Sequence, residues 1–167
     1  MTSMIKERKY NILFSQHFTS KWNDHRRIAV PVWEKFIEDG FNDKDLDRLK
    51  KTITYMLLSV MKYSGEKDFY VQIFYINKSE NIIKIQLDYS INKSDYRYLE
   101  LLKNVIQQVN SCLTNERSYF DMMGNNSEIG FDTYVLLRRA TNGAKIIIEE
   151  SKELKDGVSI QISFKLY

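Results

Sequence analysis

Apolar and polar residues alternate in several short stretches of the chain. In residues 158–166, apolar side chains alternate with serine, glutamine and lysine along the whole stretch. Because successive side chains on a strand point to opposite faces, this pattern predicts a strand with one buried face. Alternation, or an apolar run of strand length, predicts five strands in all: residues 10–18, 69–76, 82–88, 144–150 and 158–166.

Other segments repeat apolar residues every three or four positions, which is the spacing of a helix with one buried face. The first is residues 22–38, a helix that Pro31 is predicted to kink or restart and Gly40 to end. Asn42 or Asp43 is the predicted cap of the next helix, because both side chains can accept a hydrogen bond from the first turn. The remaining helices are predicted over residues 43–64, 94–112, 115–123 and 129–140.

Two polar segments, residues 77–81 and 155–157, separate pairs of predicted strands and indicate hairpin turns. Because hairpins dominate the order of elements, the sheet is expected to be mostly antiparallel, with the helices packed on one face. The sequence therefore predicts an α+β fold, a two-layer sandwich built on a five-stranded sheet. A chain of 167 residues can bury one core, so we expect a single domain over residues 1–167.

Composition and charge narrow the classes of function. The net charge is +3 and basic residues are interleaved with acidic ones, so nucleic-acid binding is not expected. The sequence has no apolar signal core and no run of about 18 apolar residues, which predicts a cytoplasmic protein without membrane association. Cys112 is the only cysteine, and His17 and His25 have too few ligand partners for a metal, so no metal site is expected.

Three stretches resemble the motifs of one ATPase superfamily. Residues 55–64 (YMLLSVMKYS) resemble a helix that reads roughly Asn/Glu-Leu-Leu-x-Asn-Ala-Ile-Lys-Tyr/His, and residues 82–90 (IIKIQLDYS) a strand that ends in an adenine-reading Asp. Residues 128–149 resemble the Gly-x-Gly-Leu helix and the last hairpin. On these motifs the chain resembles the GHKL, or histidine-kinase-type, ATPases. Among them it is most similar to single-domain anti-sigma-factor serine kinases and SiaB-like proteins, which implies the same two-layer fold.

The resemblance also implies where a nucleotide would bind. Ser59 falls on the magnesium-coordinating Asn of the motif, Asp88 on the adenine-reading Asp and Gly130 on the start of the phosphate-facing helix, while Lys62 is kept. We interpret these four residues as a degenerate nucleotide site. No catalytic residue is assigned, because the catalytic acid or amide of the family falls on Tyr55, a poor general base near neutral pH.

Further departures from the motifs argue against ATP chemistry. A serine hydroxyl is a weaker magnesium ligand than a positioned amide oxygen. The glycines expected after Asp88 are replaced by Ser90 and Asn92, whose side chains narrow the pocket. Asp132, close to Gly130, would repel phosphate where several accessible backbone N–H groups are needed.

Three hypotheses on function follow. The first is a regulatory domain that binds a protein partner in bacterial signalling or partner switching, on an ATPase scaffold that has lost catalysis and its cofactors. The alternative is an atypical ATP-binding, anti-sigma-factor-like serine kinase, with ATP and magnesium as cofactors. The third is a structural module, such as a homodimer. Trp22 and Trp33 are candidate core or interface residues, because tryptophan is enriched in both settings.

Overall fold

The computed structural model describes residues 12–18, 25–64, 69–90, 96–111 and 131–167. In these residues the strands are β1 (Ile12–Phe18), β2 (Phe69–Asn77), β3 (Ile82–Ser90), β4 (Ile146–Glu150) and β5 (Gly157–Lys165). The helices are α1 (His25–Glu38), α2 (Asp43–Ser64), α3 (Tyr96–Ser111) and α4 (Phe131–Ala140). The predicted helix over residues 115–123 and the predicted caps at Ser94 and Asp95 lie outside the described residues.

The strands form one five-stranded sheet in the order β1-β2-β3-β5-β4, and every neighbouring pair is antiparallel. Both predicted hairpins are present. Their turns contain Asn81 and Asp156 at φ angles of 55° and 54°, a conformation that short polar side chains tolerate. The predicted antiparallel sheet is therefore confirmed, and it places β3 and β5 next to each other at its centre.

The two faces of the sheet differ in polarity. On one face, Ile85 of β3 lies opposite Ile162 of β5, and both side chains are buried in the core. One residue further along each strand, Gln86 lies opposite Gln161 on the other face. This alternation gives the sheet one apolar face and one polar face, because side-chain direction has a period of two.

The helices pack on the apolar face and share one core with the strands. Each helix contributes buried apolar side chains to this core, among them Phe36, Leu57, Leu102 and Leu137. The predicted two-layer sandwich with helices on one face is confirmed. None of the described helices is long and apolar enough to cross a membrane.

Helix α1 ends as predicted but does not restart at Pro31. The helix continues through Pro31, so a restart there was wrong. Inside a helix, proline removes one backbone donor and its ring crowds the carbonyl four residues earlier, and burial of the flanking turns in the core can offset that cost. At the end, Gly40 has a φ of 79° and its N–H donates to Ile37, while the N–H of Phe41 donates to Phe36. The rings of Phe36 and Phe41 pack edge to face, with their centroids 4.8 Å apart. The two hydrogen bonds and this apolar contact together form a Schellman motif.

Side chains at the start of α2 form hydrogen bonds with the last residues of the chain. Asn42 is the N-cap, because its Oδ1 accepts the N–H of Asp45 at 2.9 Å. Asp45 in turn accepts from the Asn42 side chain through Oδ2 and from the N–H of Tyr167 through Oδ1. One turn later, Arg48 donates to the carbonyl of Lys165 at 2.7 Å and lies 4.8 Å from the centre of the Phe164 ring. These contacts hold the end of β5 and Tyr167 against α2.

We expect Asp45→Ala to lower the free energy of unfolding by about 1–3 kcal/mol, because the buried Asp45 carboxylate accepts hydrogen bonds from the side chain of Asn42 and from the N–H of Tyr167, and alanine removes both. Asp47→Ala is the matched control on the same helix. Asp47 pairs with Lys51 but is 62% exposed, so its loss should cost less than about 0.5 kcal/mol. Urea denaturation followed by circular dichroism measures both. Equal losses for the two variants would contradict this account of the α2 cap.

Candidate functional site

Asp88 is the only residue of the predicted nucleotide site whose side chain the structure describes. It is fully buried on the polar face of the sheet, opposite Ser159 of β5. The side chain of Gln86 donates to its Oδ2 at 2.9 Å, and the hydroxyl of Ser151 donates to its Oδ1 at 2.8 Å. Asp88 therefore joins the centre of the sheet to the connection between β4 and β5.

That connection is a tight loop organised by Ser151. Its Oγ accepts the N–H groups of Glu153 and Leu154 at 3.2 and 3.0 Å, while its own N–H donates to the carbonyl of Gly157. A Cβ at Gly157 would lie 2.9 Å from the Cβ of Leu154, so only glycine fits there without a shift. The Asp88 carboxylate is thus the anchor of a compact hairpin loop.

The geometry of Asp88 bears on nucleotide binding. Both of its oxygens accept hydrogen bonds, and its side chain points away from the helix-covered face. A carboxylate can accept more than two hydrogen bonds, so an adenine amino group would have to share this buried carboxylate with Gln86 and Ser151. A role for Asp88 in reading adenine stays a prediction, and in the described residues its visible role is structural.

The structure does not describe the side chains of the other predicted site residues. Ser59 and Lys62 belong to the last part of α2, residues 59–64, where the structure describes the backbone alone, and Gly130 lies outside the described residues. Tyr55, one turn before Ser59, is partly buried against the core. Their grouping into a nucleotide site therefore stays a prediction.

His17 and His25 were predicted not to form a metal site. The His17 ring packs on Tyr70 with centroids 4.4 Å apart, and the side chain of His25 is not described. Across the described part of the chain, no three His, Cys, Asp or Glu side chains come together as metal ligands.

An apolar groove of about 470 Å³ lies between α1 and α2. Its walls are aliphatic and aromatic, formed mainly by Ala29, Val30, Trp33, Leu46, Leu49 and Ile53. Trp33 is only partly buried, and the ammonium of Lys50 lies 4.8 Å from the centre of its ring. This arrangement leaves a large aromatic surface accessible beside a cation.

The groove continues onto an apolar stripe on the outer surface of α1. Val30 and Ile37 are 48% and 50% exposed, and with Trp33 they occupy positions i, i+3 and i+7 of the helix. Residues at this spacing share one helix face. A stripe of this kind next to an apolar groove is the form of surface that receives an amphipathic helix.

A second groove, at the end of the sheet near Asp45, is polar and open. It is lined by residues that include Lys35, Asp39, Tyr75 and Tyr167. Burial raises the pKa of the Tyr75 phenol, and the negative charges of Asp39 and Asp45 raise it further. Tyr75 is therefore neutral at physiological pH, and its phenol can act in this groove as a hydrogen-bond donor or acceptor.

Sequence reasoning identified Trp33 as a core or interface residue but did not find the groove. The spacing of Val30, Trp33 and Ile37 was a detectable signal, because all three fall on one face of α1, where Val30 and Ile37 are exposed. Which face α2 leaves open depends on how the two helices pack, and that information is not local.

Comparison with known proteins supports the fold. No protein-family model and no curated protein matches the sequence. The structure is similar to a chain in the crystal structure of the SiaB–SiaC complex from Pseudomonas aeruginosa, with a TM-score of 0.63. The match covers 98% of this chain and 94% of that chain at 11% sequence identity. At this identity the likeness shows a SiaB-like fold and nothing finer.

We expect Ser151→Ala to destabilise the protein by about 1–3 kcal/mol, because it removes the Asp88 contact and leaves the N–H groups of Glu153 and Leu154 without their acceptor. Ser79→Ala is the control in the other hairpin. The Ser79 hydroxyl also bonds a side chain, that of Asn77, but it is exposed, so the loss should stay below about 0.5 kcal/mol. Chemical denaturation of both variants is the measurement. A Ser151→Ala protein as stable as the wild type would contradict the stabilising role of Ser151 in the loop between β4 and β5.

Proposed function

We propose that this protein is a regulatory signalling domain that acts by binding a protein partner, and that it carries out no ATP chemistry. The observation that carries the proposal is the groove between α1 and α2, with Trp33 at its side. The similar chain comes from a complex of two proteins, which supports a function based on protein binding.

The groove between α1 and α2, together with the adjoining apolar stripe of α1, has the features of a binding hot spot. Trp33 offers a large ring whose further burial would release water from apolar area, and tryptophan is the residue most enriched among interface hot spots. Val30 and Ile37 extend the apolar contact along one helix face. The expected occupant is an amphipathic helix of the partner, with an acidic residue placed to meet Lys50 at the edge of the groove.

The absence of ATP chemistry rests on residues of this chain. Tyr55 and Ser59 replace the side chains that would activate water and hold magnesium, and Asp88 already serves the fold. If a nucleotide were bound, it would supply the phosphoryl group, and Ser59, Lys62 and Gly130 would be the residues beside it.

The partner-binding test compares two aliphatic residues of nearly equal exposure. A photocrosslinking amino acid at Val30 should capture a partner in the source cell, whereas the same group at Ile147 should not, because Val30 (48% exposed) lies on the groove and Ile147 (47%) on β4. With the captured protein purified, Val30→Glu should weaken binding by roughly tenfold or more and Ile147→Glu by less than about threefold. Equal effects of the two glutamates would place the interface elsewhere.

The proposal makes a separate prediction for nucleotides. Adding ATP and magnesium at millimolar concentration should leave the melting temperature unchanged, because a ligand stabilises the native state only if it binds there. Differential scanning fluorimetry of the wild type and of Asp88→Asn tests this. A rise in melting temperature that Asp88→Asn abolishes would favour the atypical serine kinase.

A further inference from the structure

A third groove, of about 600 Å³, lies between the end of β5 and the connection from α4 to β4. It is lined by residues 141–144 of that connection, by residues 163–167 and by Arg48 of α2. Lys165 is a second cation in its wall, and none of the described residues that line it is acidic. A groove of this volume with a positive lining is suited to a small anionic ligand.

The guanidinium of Arg48 is fixed in this groove by three contacts. It lies 4.8 Å from the centre of the Phe164 ring and 5.2 Å from the centre of the Tyr167 ring. Its Nη1 donates to the carbonyl of Lys165 at 2.7 Å. A side chain that is already ordered loses less conformational entropy when a ligand binds, so Arg48 is pre-organised for binding.

Most of the hydrogen-bonding capacity of Arg48 is unused within the described part of the chain. Arginine has five N–H groups, and the carbonyl of Lys165 is the only acceptor that Arg48 has among the described residues. Its Nε is buried without an acceptor, and the described ion pairs involve Lys35 and Lys51 instead. A partly buried arginine is usually paired with an anion. The unused donors therefore favour an oxyanion as the ligand.

The connection from α4 to β4 favours a carboxylate over a phosphate. Phosphate sites are usually built from several backbone N–H groups that point at the anion. Asn142 and Gly143 have φ angles of 57° and 84°, but their N–H groups donate to the carbonyls of Arg139 and Arg138. These two N–H groups thus complete the end of α4. The Arg48 side chain supplies the donors instead, in a planar fork that matches the two oxygens of a carboxylate.

Apolar side chains line the groove beside the two cations. Ala144, Phe164 and Leu166 provide aliphatic and aromatic surface in its wall. The Tyr167 ring, 67% exposed, adds further apolar surface, and the ammonium of Lys44 lies 5.7 Å from the centre of this ring. Apolar walls with a few fixed polar groups are typical of sites for small organic molecules.

We propose that this groove binds a small organic carboxylate, with its carboxylate group on Arg48 and Lys165 and its apolar part against Phe164 and Ala144. The inference is independent of the proposed function, because it needs neither the groove between α1 and α2 nor a protein partner. It assigns Arg48 a role beyond holding the end of β5 against α2.

The test titrates the wild type with acetate, hexanoate and hydrocinnamate and follows the backbone amide signals by nuclear magnetic resonance. Hydrocinnamate should shift the signals of residues 141–144 and 163–167 in a saturable way at millimolar concentration. Acetate should bind more weakly than hexanoate, because each buried methylene group adds to the affinity. Hydrocinnamamide, the neutral analogue, should leave these signals in place, and inorganic phosphate should bind at least roughly fivefold more weakly than hydrocinnamate.

Lys165→Gln and Lys155→Gln are a matched pair of variants. Each removes one charge from an exposed lysine of the last hairpin, but only Lys165 lines the groove. Lys165→Gln should weaken hydrocinnamate binding by roughly threefold or more, and Lys155→Gln should leave it unchanged. Arg48→Lys keeps the charge but loses the fork, so it should weaken binding by roughly fivefold or more. Ala144→Phe should abolish binding, because it fills the groove without altering Arg48.

Melting curves establish that each variant is folded, and Ala144→Phe tests the site even if Arg48→Lys does not fold. Wild-type signals that hydrocinnamate does not move would overturn the proposal. So would a neutral amide that binds as well as the acid, or phosphate that binds more tightly than hydrocinnamate. Equal losses in the Lys165 and Lys155 variants, or binding that Ala144→Phe leaves unchanged, would place any bound carboxylate outside this groove and would overturn the proposal as well.

Discussion

The alternation of apolar and polar side chains along β3 and β5 is the constraint on which the rest of the molecule depends. These strands are adjacent at the centre of the sheet and bring Ile85, Leu87, Ile160 and Ile162 into one layer. All described helices must lie on that side, because it is the face that needs covering. A shift of one residue in the pairing would place Gln86 and Asp88 in the core, so the register has no close competitor.

Polar side chains then join the ends of elements that the core alone would leave loose. Arg138 of α4 donates to the carbonyls of Val109 and Gly143 at 2.6 and 3.1 Å, which connects α4 to the end of α3 and to the segment before β4. Asp45 and Asp88 do the same for the end of the chain and for the last hairpin. In each case a side chain satisfies backbone or polar groups that burial would otherwise leave unpaired.

The different roles of the polar face of the sheet and of the helix layer bear on function. A carboxylate that resembles the adenine-reading Asp of an ATPase anchors a loop on the far side of the sheet. An accessible apolar groove lies instead on the helix layer, beside Trp33. This arrangement is the basis of the proposed protein-binding function.

The sequence by itself determined the elements, because their signals are local. Periodicity located the strands and helices, Asn42 and Gly40 marked helix ends through hydrogen bonds within a few residues, and the hairpin turns followed from Asn and Gly at fixed positions. Antiparallel pairing and the one-sided helix layer were predictable from the order of these elements. The uninterrupted helix at Pro31 was not, since tertiary burial outweighs one lost hydrogen bond.

Only the tertiary structure decided which surfaces are occupied. Asp88 meets Ser151 across 63 residues of chain, and Asn110 reaches Ile146 across 36, so neither contact leaves a local pattern. The groove beside Trp33 arises in the same way, from how α1 and α2 pack. Sequence periodicity reports which face of an element is apolar. Whether that face is covered depends on residues distant in the chain, and those contacts exist only once the chain has folded.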